Sequence, residues 1–316
     1  MTLQPTIQVH RRRDQLDRVD DRRLLIATTS GRWHRVTAGA YVSTSEWLAL
    51  KPHQQHLVRV REVSRRMRKP AVLSHAAAAA ILGIDLLGDW PTLVDVRTDR
   101  TSGGRTHGAI RRHGLGLADV EIEQWEGGHW ITTATQTALD LARSLTFTKA
   151  VAAVDQALWA RREGGPLTTK EELLAQFEKA TPTRGDHKVR RVLEAATDLA
   201  DNVRETESRV IIAQLGFPTP RLQERRELAS GRIVFGDFYF PEHDHWGELD
   251  GRGKYMSPEF SGDRDASEIV IDEKDRENEI RREVRGFSRW QPSDITPRRL
   301  YDIITGDGLP SRLPRP

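Results

Sequence analysis

Between Gly236 and Tyr255 the chain reads GDFYFPEHDHWGELDGRGKY, a stretch whose residue types and spacing could do chemistry. Asp237 opens a strand-like apolar run of Phe238, Tyr239 and Phe240. A turn leads to a second strand bearing Glu248 and Asp250, followed by Gly251 and Lys254. Carboxylates on neighbouring strands can converge on one hard divalent cation, which prefers oxygen ligands. A metal-dependent phosphodiesterase uses such an ion to lower the pKa of a bound water and to neutralise charge on the scissile phosphate. Glu248 and Asp250 are two apart, so alternation puts both on one face of a strand. The same acids also suit a plainer arrangement, with Asp237 capping a turn and Glu248 and Asp250 solvated on an edge strand. His243 and His245 flank Asp244, but His-x-His with no third ligand nearby is a weak zinc pattern.

The acids need elements to hold them. NVRETESRVIIAQLGF (202–217) reads as an amphipathic helix with Val203, Val210, Ile211 and Leu215 on or near one face and Gly216 at its end. Residues 220–228, 231–240 and 243–250 read as three consecutive strands. Residues 266–284 read as a charged helix with a possible strand at its start, 287–290 as a final strand and 293–304 as a closing helix. The order α-β-β-β-α-β makes an α/β sandwich on a mixed sheet.

Upstream, residues 10–30 have helical spacing (Leu16, Val19, Leu24, Leu25), ended at Gly31. RWHRVTAGAYV (32–42) reads as a β-hairpin turning at Ala38-Gly39. Helix, glycine and a basic two-stranded wing outline a winged helix-turn-helix, with Arg32, His34 and Arg35 where a wing touches phosphates. A basic helix is expected over 54–69, stopped by Pro70, and an alanine-rich one over 75–82, capped by Ser74. His75, beside the alanine run, reads as structural. Strand-like pieces follow at 92–98, 108–114 and 118–125, then a strand and helix over 129–145 with Thr132 or Thr133 at the cap. Two helices broken at Gly164-Gly165-Pro166 and one over 187–200 complete this region.

Composition sets outer limits. At 316 residues the chain has room for two or three domains. Charged residues are 30% and the mean hydropathy is −0.59, and the longest apolar stretch, Ala76 to Ile84, is too short to span a bilayer, so no membrane partner is expected. The first residues lack the apolar core of a secretory signal, and no cysteine is present, which excludes disulfides and thiolate chemistry and fits the cytoplasm. The net charge of +3 hides an asymmetry: residues 1–70 hold 15 Lys and Arg against 6 Asp and Glu. A basic front suits a polyanion such as nucleic acid, or a solvated surface whose arginines pair locally.

Four parts of the last third resemble the PD-(D/E)XK nuclease superfamily, most closely its very-short-patch-repair-like branch (domain of unknown function 559). They are the helix TESRVIIAQLGFPTP (206–220), Asp237 in GDFYF, GELDGRGKY (247–255), and EKDRENEIRREVRGFSRW (273–290). More loosely, GRWHRVTAGAYV (31–42), VLSHAAAAAILGI (72–84) and WITTATQTALDLAR (130–143) resemble the antitoxin half of AbiEi-like type IV toxin–antitoxin proteins. The resemblance implies that Asp237 and Glu248 bind Mg²⁺ with a backbone carbonyl, that of Leu249, and that Glu207 joins through a water or orients a ligand. The superfamily's lysine two residues after Glu248 is replaced by Asp250, which could add a metal ligand but not a positive charge. The missing cation then falls to Lys254, or to Lys274 or Arg276 on the late helix.

The expectation is an α/β multidomain protein: a winged-helix-like region over 1–70, an α+β antitoxin-like region over 71–200, and an α-β-β-β-α-β restriction-endonuclease-like domain over 201–316. Two functions stay open. One is a DNA-binding protein with a Mg²⁺-dependent endonuclease-like domain; the other is a non-enzymatic antitoxin-like repressor with an inactive nuclease fold and a possible cognate toxin.

Overall fold

The structure, a computed structural model, describes residues 7–11, 28–100, 103–182, 185–250 and 266–316. Within them it is a mixed α/β protein with ten helices and three sheets. The chain divides into two compact units, Met1–Asp198 and Leu199–Pro316.

In the first unit the expected hairpin forms. Strand β2 (Trp33–Thr37) returns antiparallel as β3 (Ala40–Ser43), with Gly39 at φ 70° supplying the left-handed turn residue. A short strand β1 (His10–Arg11) adds to the far side of β3, and most of the helix expected over 10–30 falls outside the described residues. Alternation sends Val36 and Val42 inward, where they pack with Trp47 of helix α1 (Thr44–Ala49) and Val58 of α2 (Pro52–Ser64). Helix α2 starts earlier than expected because Pro52, with its fixed φ, suits a first turn. It ends earlier too, at Ser64 with Arg65 as its C-cap.

A six-stranded sheet follows, in the order β6-β7-β5-β4-β9-β8. Its strands are β4 (Val72–Leu73), β5 (Val94–Thr98), β6 (Arg105–His107), β7 (Ile110–Gly114), β8 (Ile122–Gln124) and β9 (Trp130–Thr132). Helix α3 (His75–Leu82) ends at Gly83, left-handed at φ 75°. Helix α4 (Ala134–Ser144) is capped by Thr133, whose Oγ1 accepts the Gln136 N–H at 3.3 Å. Helices α5 (Phe147–Leu158), α6 (Lys170–Lys179) and α7 (Asp186–Ala195) complete the unit. Ser74 sits at the α3 cap position without capping; its hydroxyl lies 2.9 Å from His75 Nδ1 instead.

The second unit has the expected element order. Helix α8 (Val203–Gln214) precedes β10 (Arg221–Glu227), β11 (Ile233–Phe240) and β12 (His245–Leu249). Then come α9 (Ala266–Glu283), β13 (Gly286–Trp290) and α10 (Pro297–Gly306). The possible strand ahead of α9 is absent from the described residues, which are helical from Ala266 onward. The sheet runs β10-β11-β12-β13, antiparallel except for the parallel β12–β13 pair. One face packs Phe238, Phe240, Leu249 and Trp290 against Ile211, Ile212 and Leu215 of α8 and Leu300 and Ile304 of α10. The other packs Tyr239, Trp246 and Phe287 against Ile280 of α9. Burying each such aromatic contributes about 1.5–3 kcal/mol, so this three-layer packing fixes the strands that carry the acids.

Candidate functional site

The β11–β12 register pairs Phe238 with Gly247, which sets Asp237 opposite Glu248 one step further on. Trp246 and Glu248, two apart on β12, share a face, and the indole N–H donates to Glu248 Oε1 at 3.0 Å. That face is covered by α9, whose Arg276 donates through Nη2 to both Glu248 oxygens at 2.9 and 2.8 Å. Arg276 also donates to both oxygens of Glu273, at 2.9 and 3.0 Å. Next to it on β13, Arg289 reaches Asp250 Oδ1 at 3.3 Å, Glu273 at 3.7 Å and, more closely, Glu277. Asp237 Oδ2 accepts the Leu249 N–H at 2.9 Å.

Charge follows from this packing. Burial pushes the Glu248 carboxyl above its ordinary range; Arg276 and the Trp246 indole pull it back, and the neighbouring Asp237 charge pushes it up again. Burial works against the Arg276 charge, yet hydrogen bonds to Glu273 and the Glu248 charge hold its pKa above normal. Glu277 is likewise held below the usual carboxylate range: burial opposes ionisation, but hydrogen bonds from Arg281 and Arg289 outweigh it.

Two further side chains close the other flank of Asp237. Glu205, buried in the first turn of α8, accepts from Asp201 N–H (2.8 Å) and Asn202 Nδ2 (2.6 Å). Gln223 of β10 donates to Glu205 Oε2 at 3.3 Å and lies 3.5 Å from Asp237 Oδ1. Gln223 has φ 52°, a left-handed conformation that costs a non-glycine residue of order 1 kcal/mol, inside an otherwise extended strand.

Asp237, Glu248 and Asp250 are thus brought into one region with Arg276. Glu207 is not: it pairs with Arg204 at 2.7 Å, because two residues along a helix is about 200° of rotation from Glu205. Lys274 is exposed on α9, and Lys254 lies outside the described residues. His245 is buried against Ser288 Oγ at 2.8 Å. In the first unit Arg32 and Arg35 are exposed, while the His34 ring stacks on Trp47 with centroids 4.3 Å apart. Sequence reasoning missed Glu205 and Gln223. The Asn202-x-x-Glu205 spacing, close to a capping box, was a usable signal for the first; Gln223 had none.

Mg²⁺ is the ion that such carboxylates would hold. The ion wants near-octahedral oxygens, whereas both Glu248 oxygens and Asp237 Oδ2 here face N–H donors. Among the described residues no three His, Cys, Asp or Glu side chains are grouped to hold a metal. As arranged, the described residues do not fit the ion.

The first unit buries a second polar cluster. Asp95, fully buried, accepts from Arg111 (2.5 and 3.0 Å) and lies 2.7 Å from His113 Nε2. His113 stacks on His75 at 3.8 Å, and Asp140, also fully buried, accepts from Arg97 (2.7 Å) and Gln136 (2.8 Å). Burial pushes His75 down to about 4 against the pull of Asp140, so the ring is neutral at pH 7.

Comparison with known protein families, with curated proteins and with solved structures finds no match to this chain. None of the described helices is long and apolar enough to cross a membrane.

Proposed function

We propose that the protein binds DNA through basic surfaces of its first unit, and that its second unit is a restriction-endonuclease-like module whose carboxylates are engaged by arginine in place of a metal. In this reading it is a cytoplasmic, non-enzymatic regulator of the AbiEi-like antitoxin type, working beside a possible cognate toxin. The observation that carries the reading is the Arg276 guanidinium on both oxygens of Glu248, reinforced by Glu273. A carboxylate so engaged offers no open oxygen pair to an incoming cation. Exposed Arg32 and Arg35 on the β2–β3 hairpin support the DNA contact.

The test is incubation of the purified full chain with supercoiled plasmid and Mg²⁺, beside Asp237→Ala and Glu248→Ala. The expected result is equal, background nicking in all three, with DNA binding that weakens in salt and needs Arg32 and Arg35. Mg²⁺-dependent nicking that both substitutions abolish would overturn it.

That opposite outcome is the second reading, a Mg²⁺-dependent endonuclease. One observation favours it: Asp237 and Glu248 face each other on paired strands, and the Asp237 charge raises the cost of ionising Glu248, a crowding that a bound cation would relieve.

A further inference from the structure

The β6–β7 ribbon stands at the edge of the six-stranded sheet, and its two faces differ in chemistry. Thr106 pairs with Arg111, and on that face Arg111 turns inward to a double contact with Asp95. Arg105 pairs directly with Arg112, and alternation puts His107 on their face. Like charges directly opposite on paired strands are destabilising. Here no acid offsets them: among the described residues neither arginine, nor the neighbouring Arg100, makes an ion pair. All three line an open cleft of about 980 Å³ whose one acidic residue is Asp99. Charge on an edge strand would by itself guard against edge-to-edge pairing. That need does not explain a second arginine on the inner strand, nor the buried Asp95 contact that anchors the ribbon.

We infer that this ribbon is a second contact for the phosphate backbone of duplex DNA, made by Arg105, Arg112 and Arg100. Guanidinium forks match phosphate oxygens, and Arg105 and Arg112 stand side by side on one face at the edge of the sheet. The open, exposed cleft suits a polymer better than an enclosed small anion. The inference rests on the DNA-binding reading above and extends it to a part of the chain distant in sequence from the β2–β3 hairpin.

The test titrates fluorescent duplex DNA with the full chain over a range of salt, comparing wild type, Arg105→Ala/Arg112→Ala and Arg32→Ala/Arg35→Ala. Losing two phosphate contacts lowers the slope of log affinity on log salt by about 1.8. Over about a fourfold rise in salt, wild-type binding should therefore fall about 12-fold more than that of the ribbon variant. Arg105→Lys/Arg112→Lys should keep most of the slope, which separates lost charge from lost folding. Affinity and slope unchanged in the ribbon variant, while the hairpin variant binds weakly, would overturn the ribbon and leave DNA binding standing. No DNA binding by wild type would remove both. Displacement of DNA from wild type by inorganic phosphate at matched ionic strength would mark a small-anion pocket and also overturn the ribbon.

Discussion

Replacing Arg276 with methionine isolates the arginine–carboxylate contact on which the reading of the second unit depends. The substitution leaves Glu248, 8% exposed, with the Trp246 indole as its remaining side-chain donor among the described residues, at 3.0 Å, and leaves Asp237 opposite. Breaking a buried pair by removing one partner costs about 3–5 kcal/mol; since Arg276 is 22% exposed, about 3 is appropriate. For a unit of 118 residues (Leu199–Pro316) that lowers its melting temperature by about 12 °C. Glu248→Gln/Arg276→Met removes both charges and should recover most of the loss, leaving about 1 kcal/mol for the Glu273 contacts. The pH dependence has a definite sign. Glu248 is already pushed above its ordinary range, and without Arg276 it rises further. A raised carboxyl keeps full stability below its unfolded pKa and loses it as pH rises through the folded one, so the deficit should be small near about pH 4 and full at neutrality. Calorimetry of the full chain, following the second unit's transition, reads all three effects. A deficit under about 1 kcal/mol, or an equal deficit with glutamine at position 248, would refute the charge lock.

Two more perturbations test the packing and the buried histidines. Gly236→Ala would place its Cβ 2.3 Å from Trp246 Cζ2 and 2.4 Å from Cε2, displacing the indole that donates to Glu248. It should cost about 1–3 kcal/mol by thermal melting, and a neutral result would contradict the close approach of β11 to that ring. In the first unit burial holds His75 and His56 down to about 4. A lowered histidine gives stability that is present above its unfolded value and lost as pH falls from about 6.5 to about 4, at up to about 3 kcal/mol per ring. His56→Phe should flatten that acid slope, and an unchanged slope would show that this ring does not control it.

The order of elements in the second unit was legible because local rules set it. An apolar run marked β11, Gly216 marked the end of α8, and apolar spacing marked α8 itself. The hairpin at Ala38-Gly39 and the Thr133 cap were legible for the same reason. Of the candidate site, Asp237 and Glu248 could be placed on adjacent strands from the sequence, with Asp250 one residue past the end of β12. Glu207 was chosen where Glu205 turns inward, because the phase of a helix about its axis depends on what it packs against. The parallel β12–β13 pairing, made across α9, leaves no mark in either strand alone.

The sequence by itself determined which acids stand on adjacent strands and that the first 70 residues are basic. Only the tertiary structure decided what those acids meet. Arg276 reaches Glu248 across 28 positions and Arg289 reaches Asp250 across 39, while Gln223 bridges Glu205 and Asp237 from a third element. It also separated Arg111, held on Asp95, from Arg105 and Arg112, which make no ion pair among the described residues. The physical reason is range. Turns, caps and periodicity act over a few residues, whereas the partner of a charge is set by whichever elements the buried core brings together.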